Sequence, residues 1–169
     1  MAGLAGKQLD LFAMSVQNTA RIKEQNSRTI SVIIGNPPDN AHQENFNQRN
    51  ANRPYQGIDK AIKESYIKEG TAQNQIVVYD MYTRFFRWAS DRLGKNGIIA
   101  FITNRSFIDS KTFDGFRKCI EREFDSVYIV DTQSDVRNNP KISGTKNNVF
   151  GIKTGIAVMF LVKNQEGKR

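Results

Sequence analysis

The residues best placed for chemistry lie in the run Ser31 to Asn40, which reads Ser-Val-Ile-Ile-Gly-Asn-Pro-Pro-Asp-Asn. A β-branched apolar stretch stops at Gly35, and Asn36 follows with two prolines behind it. Each proline fixes its own φ and lacks an N–H, so Asn36-Pro37-Pro38 must leave a sheet as a stiff extended segment. The apolar stretch suits a strand buried on both faces, as in a parallel sheet. An asparagine held rigidly at the carboxyl end of such a strand sits where open α/β sheets place their ligands. Its chemistry is positioning and electrostatics rather than proton abstraction.

A second group interleaves cations with rings: Arg49, Arg53, Lys60, Lys63 and Lys68 share one stretch with Phe46, Tyr55 and Tyr66. Phosphate contacts beside stacking rings are what a disrupted nucleic-acid duplex requires. A solvated loop and helix face is the alternative. Other chemistries find little support. His42 has no metal-ligand companion, since Cys119 falls on a helix expected to face the core, and no metal site is expected. Asp80 and Glu44 lack the spacing of an acid–base pair.

Several elements must position these residues. Leu4 to Met14 has helical composition that Val16 to Glu24 continues, giving an N-terminal helical segment over 1–30. Ser31 to Ile34 reads as the first strand. Asn36 to Gln56, rich in Asn, Gln, Pro and Arg, reads as a long binding loop or lid, mobile when nothing is bound. The spacing of Ile58, Ile62 and Tyr66 predicts a short helix ended by Gly70. Asn74 to Leu93 carries the strongest helical pattern, in Val78, Tyr82, Phe85, Phe86, Ala89 and Leu93. Phe85 and Trp88 could form a base-stacking platform, but the burial tendency of large apolar residues favours packing on the sheet.

Gly94 to Gly97 reads as a turn, and Ile98 to Thr103 as a second strand. Ser110 or Thr112 is expected to cap a helix with the apolar face Phe113, Phe116, Ile120 and Phe124. Val127 to Asp131 and Ile156 to Val162 read as further strands, separated by a polar loop whose Arg137, Lys141, Lys146 and Asn147 could touch a phosphate backbone. A charged tail covers 164–169. Strands alternating with helices argue for an α/β fold with a parallel sheet.

The 169 residues form a single domain, 1–169, with mean hydropathy of −0.55 and a formal net charge of +8. That basic balance favours polyanionic partners. No apolar run approaches the ~20 residues of a membrane helix. With no secretory signal and a single cysteine, the chain reads as a cytoplasmic protein.

Asn36-Pro37-Pro38 after a strand resembles the Asn-Pro-Pro-Tyr signature of amino-group methyltransferases that use S-adenosylmethionine. The nearest likeness is to adenine-specific DNA methyltransferases of restriction–modification systems. Asn45 to Arg105 is similar to the modification part of large restriction enzymes, and the resemblance covers roughly 18–163. It implies a Rossmann-like methyltransferase sheet, mostly parallel with an antiparallel last strand and helices on both faces. It also implies S-adenosylmethionine as cofactor and DNA as partner. Asn36 and the Pro37 carbonyl would accept hydrogen bonds from the exocyclic amine of a flipped adenine, with Pro38 holding the segment rigid. Asp39 departs from the motif, standing where the stacking aromatic belongs. Arg105, Ser106 and Phe107 resemble the segment lining the target-base pocket, and Arg49, Arg53 and Tyr55 would contact DNA.

Such a fold holds its cofactor on a glycine-rich loop after an earlier strand. No Gly-x-Gly cluster occurs before Asn36, and the 30 residues before Ser31 are too few for two βαβ units. The expectation is therefore the C-terminal half of the domain, inactive alone, with the first strand's edge exposed. That edge would favour a homodimer or association with the cofactor-binding half. A glutamine-directed or RNA amino-methyltransferase, and a non-catalytic nucleic-acid-binding or assembly module, are the rival readings.

Overall fold

The computed structural model describes residues 16–38, 54–133 and 155–164. Helix α1 (Val16–Ser27) leads into β1 (Ile30–Gly35). Helix α2 (Gln56–Ile62) runs on as a π-helical turn over Lys63–Ile67. A 3₁₀ turn at Ile76–Tyr79 precedes α3 (Met81–Arg92), which passes directly into β2 (Leu93–Asn104). Two 3₁₀ turns, Arg105–Phe107 and Lys111–Phe113, lead to α4 (Asp114–Glu123), β3 (Ser126–Asp131) and β4 (Ile156–Asn164).

The strand order is β1-β2-β4-β3. β1 and β2 are parallel, while β4 is antiparallel to both β2 and β3. Three strands thus run one way and the last runs against them, the Rossmann-like methyltransferase arrangement expected from sequence. β1 sits at the edge of the described sheet.

Alternation along the strands divides the sheet into two unlike faces. Ile99, Phe101 and Thr103 of β2 and Ala157, Met159 and Leu161 of β4 are buried beneath α2, α3 and α4. There Phe86 packs edge-on against Phe101 at 5.0 Å and Phe116 at 5.3 Å, and Tyr66 against Phe116 at 5.0 Å. Arg87, buried between α3 and α4, donates to Glu123 at 2.8 Å and to Asp91 at 3.0 Å, and its guanidinium lies over the Tyr66 ring. These bonds outweigh the burial that alone would lower its pKa, so Arg87 stays charged.

The opposite face has no described helical cover. It presents Val32, Ile34, Ile98, Ile102, Tyr128, Val130 and Phe160 to solvent, with Ile34 77% exposed. The expectation that β1 is buried on both faces is therefore corrected. Ile33 packs against the core, but Val32 and Ile34 face outward on an edge strand.

Three local expectations also change. The helix over 74–93 is broken at Asp80, whose backbone is extended (φ −59°, ψ 153°). β-branched Ile76, Val77 and Val78 disfavour an α-helix there, and only a 3₁₀ turn forms. Gly94 to Gly97 is not a free turn but lies within β2, where the register with β1 shifts between Ile30 and Val32. A Cβ at Gly97 would sit 2.5 Å from the Ser31 carbonyl oxygen, so glycine permits this close approach. Neither Ser110 nor Thr112 caps α4, and Phe113 holds the N-cap position without a side-chain bond. The Asp114 carboxylate accepts instead from the Thr71 amide at 2.9 Å and hydroxyl at 2.6 Å, joining α4 to the segment after α2.

Cys119 is buried on α4, as its place in the pattern indicates. No described helix is long and apolar enough to cross a membrane. Among the described residues no cluster of His, Cys, Asp and Glu could hold a metal.

Candidate functional site

Parallel pairing brings the carboxyl ends of β1 and β2 together. Gly35 lies opposite Phe101, so Asn36, Pro37 and Pro38 leave the sheet alongside Ile102 to Asn104. Pro37 is buried, whereas Asn36 and Pro38 are exposed. A seated proline with fixed φ thus holds the neighbouring amide at the sheet rim, facing solvent. Helix α3 feeds β2 without a turn and must run back along the strands. Its first residues therefore lie at the same end of the sheet as Asn36.

The rest of the rim is bound together by Arg105. Its amide donates to the Gly155 carbonyl at 2.9 Å, and its guanidinium donates to Asp131 at 2.8 to 3.2 Å and to Asp109 at 3.2 Å. The hydrogen bond from Arg105 holds Asp131 below the usual carboxylate range, and Asp131 in turn raises Arg105. Asn104 accepts at its Oδ1 from the Ser106 amide at 2.7 Å and hydroxyl at 2.6 Å. Past β3 the Gln133 amide donates to Asp131 at 3.0 Å, with Gln133 at φ 53°. The chain leaves each of these strands in a fixed direction.

The candidate residues separate into four groups. Asn36, Pro37, Pro38, Arg105 and Ser106 lie at the carboxyl rim, the last two engaged in its internal bonds. Phe107 does not face a ligand: it has 0% exposure and packs against Phe86 and Phe116. The apolar floor beneath α4 takes this ring, so its substrate-lining role is withdrawn. Tyr55 sits at the start of α2, 44% exposed, with the Arg84 guanidinium 4.9 Å from its ring centre. Asp39, Arg49 and Arg53, and the loop cations Arg137, Lys141 and Lys146 with Asn147, lie outside the described residues.

Sequence reasoning overlooked Asp131 and Asn104, which hold the rim, and the pair Asp59–Arg84, at 2.7 Å, which holds Tyr55. A single carboxylate ending the apolar run Val-Tyr-Ile-Val was the available signal for Asp131. Phe85 and Trp88 depart from the packing expected of them, standing 38% and 45% exposed on the outer side of α3.

Known structures share this architecture. DrdV, seen by cryo-EM in complex with DNA, is 46% identical with a TM-score of 0.75 over 89% of this chain and 15% of its own. The ATP-dependent Type ISP restriction-modification enzyme LlaBIII bound to DNA is 35% identical with a TM-score of 0.78, covering 89% of this chain and 10% of that one. A nuclease-deletion mutant of the Type ISP enzyme LlaGI, in complex with a DNA substrate mimic, is 37% identical with a TM-score of 0.76 over 88% and 14%. The chain thus spans between 10% and 15% of the length of these structures. No curated protein sequence matches it. The sequence model of the Eco57I restriction-modification methylase family matches residues 6–136, and the chain belongs to that family.

Proposed function

We propose that this chain supplies the acceptor side of an adenine-specific DNA methyltransferase, the methyl group coming from S-adenosylmethionine. The carrying observation is Asn36, exposed at the carboxyl rim immediately after β1 and held by a buried Pro37. An amine on an aromatic ring is a poor nucleophile because its lone pair is delocalised. Hydrogen bonds accepted from it by the Asn36 amide oxygen and the Pro37 carbonyl favour tetrahedral nitrogen and localise that pair. Such preorganised acceptors act on the transition state more than on the bound ground state.

The target adenine must leave its duplex to reach the rim. Asp39 offers no π-face for it, so the stacking partner in this reading is an aromatic outside the motif. Arg105 acts indirectly, by fixing where β2 and β3 end, and Arg49 and Arg53 contact the DNA backbone. The net charge of +8 and the DNA-bound relatives support DNA over RNA or a protein glutamine.

The described residues do not fit a cofactor cradle. No glycine-rich turn follows β1, β2 or β3, and Asp131, an acidic residue ending a strand, is occupied by Arg105. No step is therefore assigned to S-adenosylmethionine beyond its role as methyl donor. The test is product analysis after incubating unmethylated DNA with tritiated donor and the complete enzyme carrying this sequence. Label in N6-methyladenine is the expected result. Label in cytosine, RNA or a protein glutamine, or none, would refute the reading, and absence of label with intact DNA binding would favour the non-catalytic module.

A further inference from the structure

Tyr55, Ile58, Met81, Arg84, Phe85 and Trp88 line an open apolar pocket of about 290 Å³ on the outer side of α3. That is near the lower bound for small-ligand sites, ~300 Å³. Three of its walls are aromatic rings that keep 38% to 45% of their surface in solvent. Leaving such rings in water has a cost that packing against the sheet would have removed.

A second groove, of about 440 Å³, adjoins the pocket through Arg84 and is lined by Pro54, Asp59, Lys60, Lys63 and Tyr79. Asp59 is taken by Arg84. Lys60 approaches Glu64 only to 3.8 Å, and Lys63 makes no ion pair among the described residues. Cations thus flank an aromatic platform, on a chain carrying +8 overall. That complementarity suits a strand with bases to stack and phosphates to neutralise better than an apolar peptide segment.

We infer that this surface binds an unpaired stretch of DNA, stacking a nucleobase on Trp88 and Phe85 and seating adjacent phosphates on Lys60 and Lys63. The inference rests on DNA being the partner, as proposed above. The first residues of α3 lie at the same sheet end as Asn36, and extruding a base there leaves unpaired nucleotides nearby.

Trp88 is the sole tryptophan of the chain, so its emission reports occupancy directly. The experiment titrates the chain with a single-stranded oligothymidylate, reading Trp88 fluorescence together with the anisotropy of an end-labelled copy. Saturable quenching is expected. Trp88→Ala should weaken binding about tenfold or more, while Trp88→Phe keeps a ring and stays near wild type. The double variant Lys60→Ala, Lys63→Ala should lessen the dependence of affinity on salt. Circular dichroism checks that each variant folds. Binding without quenching, wild-type affinity in Trp88→Ala, or no binding at all would overturn the proposal. Methyl transfer to duplex DNA is read in parallel in the complete enzyme carrying this sequence, and its absence there with quenching intact in the chain would count against Asn36 while supporting this surface.

Discussion

Arg105, at the end of β2, reaches across the start of β4 to donate to Asp131 at the end of β3, at 2.8 Å. Adjacent strands lie about 4.8 Å apart, so this contact spans two strand intervals. It fixes the distance between parallel strands that share no direct pairing. The rim facing Asn36 thereby keeps its shape without a ligand.

Removing the guanidinium should loosen that rim. Arg105→Ala is expected to lower unfolding stability by about 1–3 kcal/mol, the range for partly buried hydrogen bonds to charged groups. Arg105→Lys should recover less than half, because an ammonium cannot reproduce the forked geometry. Urea denaturation of the three proteins gives the comparison.

Acid should release the same contact. The Arg105 hydrogen bond depresses Asp131, and the Thr71 hydroxyl bond depresses Asp114. A depressed folded pKa contributes stability that is complete above the unfolded value of ~3.9 and lost as pH falls through the folded pKa. The urea midpoint should therefore drop as pH falls below about 4. Asp131→Asn and Asp114→Asn should each start lower at pH 6 and fall less steeply.

Gly115 allows α4 to meet the end of α2. A Cβ there would collide with the Tyr66 carbonyl oxygen and lie 2.5 Å from the Gly70 amide nitrogen, both rigid backbone. Gly115→Ala should cost about 1–3 kcal/mol or more through forced backbone movement. A thermal midpoint within a degree of wild type would refute this packing.

Much of this fold was legible because periodicity reports burial on one side. Tyr82, Phe86 and Ala89 announced α3's inner face, and the β-branched run before Gly35 announced β1. Periodicity carries no information about whether a second layer covers the other face. Val32 and Ile34 therefore read as core, although they face solvent. Phe85 and Trp88 misled for the same reason: their apolarity is plain in the sequence, but their exposure depends on where α3 sits. At the candidate site, the rim position of Asn36 was legible through Pro37 and Pro38, which fix the backbone locally. Asp131 and Asp59 were not, since their partners lie 26 and 25 residues away in sequence.

The exposed sheet face and the edge position of β1 among the described strands have a further consequence. An apolar surface containing Ile34, Ile98, Ile102 and Phe160 should drive self-association of the isolated chain. Light scattering is expected to show mass rising with concentration. The double variant Ile34→Lys, Ile102→Lys should shift it toward monomer without loss of helical signal. A monodisperse wild-type monomer at high concentration would contradict the expectation.

The role given to Asn36 is tested most directly by single-turnover methyl transfer to adenine in duplex DNA, in the complete enzyme carrying this sequence. Asn36→Ala should lower the transfer rate by about 100- to 1,000-fold, the range for losing one preorganised charge-stabilising contact. DNA affinity should change by less than about threefold, because a contact of this kind acts on the transition state. A variant that transfers methyl groups at the wild-type rate would contradict the account.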